Sequence, residues 1–329
     1  MNWGMYGHEW AVHLLKQHIL EDRLRHAYLF SGPRGVGKRT LALRLAQAIN
    51  CPQPTAKAEP CGICSTCRRL GQMIYPDLAV VHAEAEGETL KVDQVRELQR
   101  TLALTPYEGH YRVGLLLRFE EAHPSAANAL LKTLEEPNPQ VVLILTANST
   151  ELLLPTIVSR CEVIRLGSIP VELISSVLRR EYGIAEDQAR LLAHLSNGSP
   201  GVAIALYQQP ALLSQREIWL EEQRKLLSAN RVARFTYAEN LGKDKEKSRQ
   251  VLQTWLSLWR DVLLRCSGAS TPLTNIDRES EIDQLASRLD LTAAQQVTTA
   301  ITRALNQIDM NLNLRLTLEV LLLDLPYCS

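Results

Sequence analysis

With 329 residues, the chain exceeds what one ordinary core accommodates and is expected to fold as two or three domains. Hydrophobic residues at 46% and charged residues at 22% belong to a soluble globular protein and exclude wholesale disorder. Lysine plus arginine and aspartate plus glutamate both number 36, which excludes a global basic field; any contact with nucleic acid needs a local patch or a partner.

The opening stretch MNWGMYGHEWAVHLLKQ has no cationic stub followed by an apolar run, and no stretch reaches 18 apolar residues, so a cytoplasmic location with no membrane contact is expected. WAVHLLKQHILEDR predicts a helix and AYLFSG a short buried strand that ends in glycine. TLALRLAQAIN is again helical, so SGPRGVGKRT, Ser31 to Thr40, falls at a strand–loop–helix junction. CPQPTAKAEPCGICSTCRR is rich in Pro, Gly and Cys and reads as an insertion. Beyond it, DLAVVHA, YRVGLLLRF, VVLILTAN and EVIRL predict four more strands, with helices at VDQVRELQRTLAL and at PSAANALLKTLEEP, the latter ended by Pro137. Strands that alternate with helices predict a parallel sheet covered on both faces.

After Leu166 no strong strand signal remains. PVELISSVLRREY, EDQARLLAHLS and GVAIALYQQ read as three short helices punctuated by NGSPG, and from about Pro210 longer amphipathic helices dominate. Among them are SRQVLQTWLSLWRDVLLRC, EIDQLASRLD and the run TAAQQVTTAITRALNQIDMNLNLRLTLEVLLLDL. The expected fold class is α/β: a P-loop NTPase-like domain over 1–167 with a cysteine module at 51–67, a helical lid over 168–207, and an all-helical domain over 208–329.

SGPRGVGKRT nearly completes the phosphate-loop pattern G-x-x-x-x-G-K-[ST]. Gly32, Gly35 and Gly37 can bring backbone N–H groups close to phosphate oxygens, and Lys38 can add a point charge. Arg39 stands where a hydroxyl should ligate Mg²⁺. Thr40 lies about 100° further round the helix and should point away. A cation near a helix N-terminus needs an anion or solvent beside it. The nearest candidates are Glu120 and Glu121, at the strand end where Asp–Glu would serve a metal. A direct Arg39 pair with one of them is expected in place of the ion; the alternative is two solvated glutamates.

Cys51, Cys61, Cys64 and Cys67 follow the spacing C-x9-C-x2-C-x2-C, which suits tetrahedral Zn²⁺ better than redox dithiols or an iron–sulfur cluster. Four protein ligands leave no open position, so a structural site is expected. Cys161, Cys266 and Cys328 are scattered and read as ordinary thiols. Ser159, Arg160 and Cys161 form SRC after the fourth strand; composition alone makes Arg160 a surface residue.

RHAYLFSGPRGVGK, the four-cysteine insertion, NALLKTLEEP and PTIVSRC, in this order and spacing, resemble the bacterial clamp-loader subunits of the AAA+ superfamily. The resemblance is strong over the first 205 residues and rests on length and helicity beyond them. The motor subunits of that family, gamma and tau, carry GKT in the loop, DE at the third strand and an arginine after GS in the lid. Here Arg39 and Glu120 stand at the first two places and the lid reads GSPG, with Gly201 near where the arginine would fall; these departures, with Pro76 to Leu78 as PDL, resemble the largely rigid delta-prime class.

The resemblance implies a stator that assembles with gamma/tau motor subunits and a delta subunit. Together they would load a sliding clamp on primed DNA for DNA polymerase III. It also implies that Arg160 acts in trans as an arginine finger on a neighbour's ATP, and that Asn148 falls near the family's sensor position, with no competent metal site to sense. The helical tail would join a collar that holds the subunits together. Structural Zn²⁺ is the expected cofactor, and the departures argue against binding of ATP with Mg²⁺. Two other readings are weighed: an active ATPase motor using Lys38, Glu120 and Glu121, and a zinc-centred DNA-binding module, which the absence of net positive charge weakens.

Overall fold

In the computed structural model, which describes residues 2–84, 88–310 and 312–327, the chain divides into two compact units. The first runs to Tyr182 and takes in Gly198–Val202, and the second comprises Gly183–Asn197 and the chain from Ala203 onward. The segment expected to be a lid, 168–207, is therefore shared between them.

The first unit orders its elements as α1 (Glu9–Leu20), β1 (Ala27–Ser31), α2 (Lys38–Asn50), α3 (Ser65–Gly71), β2 (Leu78–Val81), α4 (Val92–Leu102) and β3 (Arg112–Leu116), followed by α5 (Pro124–Glu135), β4 (Val141–Ala147), α6 (Pro155–Val158), β5 (Glu162–Arg165) and α7 (Val171–Tyr182). The five strands pair in parallel in the order β2-β3-β4-β1-β5. Every residue of β4, VVLILTA, is buried, as a central strand covered on both faces requires. The edge strand β2 buries only its first residue fully.

The pleat sorts side chains to two cores. Tyr28, Phe30, Val142 and Ile144 pack with Leu15, Leu41 and Leu45 from α1 and α2. Leu29, Leu143 and Leu145 face the other way, onto Val95, Leu98 and Leu130 from α4 and α5. Pro124 opens α5, where its missing N–H costs nothing, and the helix stops two residues before Pro137.

A buried polar knot fixes the segment that leads into β3. Asp77 has no exposed surface, and its carboxylate accepts N–H bonds from Tyr107, Glu108 and Gly109 at 2.7–2.8 Å. Arg112 approaches it at 3.2 Å and donates to the carbonyls of Thr101 and Thr105. Burial pushes the Asp77 carboxyl up, but the three N–H groups and the guanidinium outweigh it and hold the acid below its ordinary range.

The second unit is helical: α8 (Glu186–Leu195), the greater part of α9 (Pro200–Gln208), α10 (Pro210–Leu227), α11 (Arg231–Leu241), α12 (Lys245–Cys266), α13 (Glu279–Arg288), α14 (Leu291–Asp309) and α15 (Leu314–Asp324). Its core centres on Trp255 and Trp259 of α12, both fully buried. The run expected as one helix from Thr292 to Leu325 is two, because the Asn313 side chain accepts the Leu316 N–H and caps a new start. Arg234 is buried and donates to carbonyls of Leu226, Leu227, Leu322, Leu325 and Pro326, closing the C-terminal ends of α10 and α15. Cys266 is half-buried in this unit, and Cys328 lies outside the described residues.

Replacing Asp77 by Asn leaves Arg112 buried beside a neutral group and should lower the unfolding free energy at pH 7 by about 3 kcal/mol in a urea titration. Because the folded acid has a depressed pKa, its contribution is present above about pH 4 and fades as the pH falls through the folded value. A loss smaller than about 0.5 kcal/mol at pH 7 would contradict the role given to Asp77.

Candidate phosphate-binding and metal sites

The loop between β1 and α2 lies at the C-terminal end of the parallel strands, where open α/β sheets receive their ligands. Gly35 has φ +76°, and Gly201, at the start of α9, donates its N–H to the Gly35 carbonyl at 2.8 Å. A β-carbon on Gly201 would stand 2.9 Å from that carbonyl oxygen, and one on Gly35 would stand 2.9 Å from the Val202 nitrogen. Two backbones therefore touch here, and only glycine allows it.

Lys38 opens α2, yet its ammonium turns back into the loop. It donates to the Gly32 carbonyl, to the Pro33 carbonyl at 3.0 Å and to Asn148 Oδ1 at 3.1 Å. An ammonium has three donors, so the side chain is satisfied by protein alone. Burial pulls its pKa down to about 8, against the pull of Glu120, which raises it; Arg34 adds to the lowering. Glu120 Oε1 accepts the Asn148 N–H at 3.2 Å, while Oε2 is buried without a hydrogen bond. Desolvation raises the Glu120 pKa despite that bond and the charge of Lys38. Lys38, Glu120 and Asn148 thus converge at the ends of β1, β3 and β4.

The other candidates do not join them. Arg39 and Thr40, one and two residues beyond Lys38 on the helix, are exposed. The expected pair between Arg39 and a glutamate is not formed: among the described residues Arg39 has no ion pair. Arg118 takes Glu121 instead, its Nε at 2.9 Å from both carboxylate oxygens, three residues away on a tight turn. Arg160 follows α6; it donates to the Thr156 carbonyl at 2.9 Å and pairs with Glu135, at the end of α5, also at 2.9 Å. Its side chain keeps 35% of its surface exposed. Beside it, burial pushes the Cys161 thiol up to about 12, which leaves an inert thiol.

The four clustered cysteines form a second site. Cys51 ends α2, Cys64 caps α3, and Cys67 lies within α3. Their sulfurs all lie within 4.8 Å of one another, with Cys51–Cys61 at 3.6 Å and both Cys51–Cys64 and Cys61–Cys67 at 4.0 Å. A tetrahedron with metal–sulfur bonds of about 2.3 Å has edges of about 3.8 Å, so these four thiols fit a metal ion. Backbone N–H groups of Cys61, Cys64 and Cys67 point at the sulfurs of Cys51, Cys61 and Cys64, as thiolates would require. The bonds from Cys64 and Ile63 pull the Cys61 thiol down to about 6, while burial raises Cys51 and Cys67. Gln47 of α2 donates to the Cys67 carbonyl at 2.7 Å and fastens the module to the helix that begins at Lys38.

Sequence reasoning missed the Gly201–Gly35 contact and the closure of Lys38 onto its own loop. The glycine at 201 was the available signal, read only as a missing arginine.

A family model described as DNA polymerase III, delta subunit, matches residues 7–170. The chain is 31% identical to DNA polymerase III subunit delta′ of Bacillus subtilis over 325 residues, which cover 96% of this chain and 95% of that one. It is 41% identical to DNA polymerase III subunit delta′ of Pseudomonas aeruginosa over 207 residues, 61% of each. It is also 36% identical to DNA polymerase III subunit tau of Escherichia coli over 208 residues, 62% of this chain and 32% of that one. Among solved structures, a DNA polymerase III gamma subunit-related protein from Thermotoga maritima matches with a TM-score of 0.50 and 20% identity over 95% of this chain and 97% of its own, a likeness of fold.

A desolvated Lys38 has a readable consequence. Its folded amine releases a proton near 8. The unfolded amine does so near about 10.4, so over this window the unfolded state binds more protons and stability rises with pH. The unaltered chain should therefore gain stability relative to Lys38→Met between about pH 8 and about pH 10, as read by denaturant titration. Parallel pH profiles for the two chains would remove the assignment.

Proposed function

The chain belongs to the DNA polymerase III subunit delta′ family, and on that premise we propose that it is the non-hydrolysing stator of a clamp loader. It assembles with gamma/tau motors and a delta subunit to place a sliding clamp on primed DNA in the cytoplasm. The observation that carries the reading is Lys38, whose donors are engaged by Gly32, Pro33 and Asn148 rather than held free for a phosphate. The Gly201–Gly35 contact supports it, since a lid arginine cannot occupy that position. Asn148, the sensor-position residue, serves here as a partner for Lys38 and Glu120. Without a hydroxyl after the lysine, Mg²⁺ lacks a ligand that active sites of this kind use.

Arg160 acts on another chain. A guanidinium brought to a neighbour's γ-phosphate stabilises the charge that develops there, worth on the order of 10³ or more in rate. In the single chain it rests on Glu135, a partly exposed pair that is weak enough to exchange for a phosphate. The metal of the cysteine module is Zn²⁺, held by Cys51, Cys61, Cys64 and Cys67. It replaces the core that a short insertion cannot build.

In the helical unit, α15 leaves Leu316, Val320 and Leu323 exposed along one stripe. This stripe is the surface offered to the collar.

The alternative, an active motor, draws on the 36% identity to tau and on the nearness of Glu120 to Lys38. Turnover separates the two. The isolated chain should hydrolyse no ATP, and Arg160→Ala in the complete loader should lower ATP turnover by about 10²-fold or more. Robust hydrolysis by the isolated chain, or unchanged turnover by the loader carrying Arg160→Ala, would overturn the corresponding half of the reading. Introducing a charge by Val320→Glu should leave the fold intact and weaken assembly with gamma/tau by about tenfold or more in a sedimentation assay.

A further inference from the structure

The segment before α1 connects the cysteine module to the phosphate loop. At one end the buried Trp3 indole donates to the Ala58 carbonyl at 2.9 Å. Ala58 sits inside the cysteine insertion at φ +65°, between Ala56 and Glu59, which bridge to each other. Lys16 of α1 lies 5.9 Å from the centre of the Trp3 ring and pairs with Glu59, so ring and insertion are clamped from a second side.

At the other end Met5 is buried against the loop itself. A β-carbon on Gly37 would stand 2.9 Å from the Met5 terminal methyl. Between the two ends the segment holds its own shape: the Asn2 side chain donates to the carbonyls of Met5 and Gly7 at 2.8 and 3.3 Å, and the Met5 N–H donates to the Asn2 carbonyl. Further anchors are the Tyr6 hydroxyl on Glu181 of α7 and a close approach of Gly7 to Ile169.

Ala58 occupies its place only while the chain between Cys51 and Cys61 is folded. That stretch has little core of its own: of residues 52–60 only Ala58 is buried. Its geometry depends on the cysteine cluster. We propose that residues 2–8 are a strap latched by the loaded cysteine module, which holds the phosphate loop in its closed form and keeps nucleoside triphosphates from Lys38. This rests on the reading of the loop as a retired nucleotide site and adds what keeps it shut. Loading fixes Ala58, Ala58 fixes Trp3, and Trp3 holds Met5 against Gly37. Loss of the metal, or of the single indole bond, releases the same strap.

Three forms of the full chain test the latch: zinc-loaded, chelator-stripped, and zinc-loaded Trp3→Phe, which keeps an aromatic ring but not the N–H. Each is followed by amide hydrogen exchange and by titration with methylanthraniloyl-ATP. In the stripped chain and in Trp3→Phe, residues 3–8 and 34–37 should exchange at least about tenfold faster while β4 keeps its protection. Both should bind the ATP analogue at least about tenfold more tightly than the zinc-loaded chain does. Unchanged exchange over 3–8 in Trp3→Phe, or equal affinity in that variant and the unaltered chain, overturns the latch. If stripping also unprotects β4, Trp3→Phe at full zinc content decides. Hydrolysis of ATP by the unaltered zinc-loaded chain would sink the retired-site reading and the exclusion of nucleotide by the strap together, whereas equal affinity in Trp3→Phe and the unaltered chain, with no hydrolysis by either, overturns the latch alone.

Discussion

An ammonium with three donors and three protein acceptors is the constraint on which the first unit's chemistry turns. Lys38 stands at the N-terminus of α2, where a phosphate would ordinarily meet the helix dipole and the loop's N–H groups. Here the lysine bends back to Gly32, Pro33 and Asn148. Burial of that arrangement depresses the pKa of the lysine and raises that of Glu120, because both charged forms lose solvation there. A phosphate that took up the Lys38 donors would have to displace these bonds.

On the proposed reading, closure at this point leaves the neighbouring residues free to differ from an active pattern. Arg39 faces solvent. Glu121 is bound by Arg118, a local pair that leaves Glu120 alone beside Lys38. The residue proposed to matter for hydrolysis, Arg160, follows the short helix α6 and is held by Glu135, a partly exposed carboxylate at the end of α5. Its contact with Glu135 orients the guanidinium without committing it. In the proposed role, catalytic charge is thus placed on the surface, where another chain can use it.

The sheet, the order of its elements and the cysteine cluster were legible in the sequence because each rests on local periodicity or spacing. VVLILTA can be little else than a central strand, and C-x2-C-x2-C brings thiols together over a single turn. What escaped was decided by distant contacts or by one capping side chain. Nothing in SGPRGVGK says that the lysine will find Asn148, 110 residues on. The expected Arg39 pair does not form because Glu121 is taken by Arg118 and Glu120 accepts the Asn148 N–H, while Arg39 faces solvent. The last apolar run predicts one continuous helix because Asn313 is one polar letter in a helical pattern, though it suffices to start a new helix. PDL was noted as a likeness, and its physical content, the burial of Asp77 against three N–H groups and Arg112, came only with the fold.

The most direct test of a self-satisfied phosphate loop is calorimetric titration of the intact zinc-loaded chain with ATP and Mg²⁺. An engaged Lys38 predicts no saturable heat up to about 1 mM nucleotide, a binding free energy weaker than about 4 kcal/mol. Saturable binding with a dissociation constant of about 10 µM or tighter would mean that the loop opens readily, and the site would not be retired.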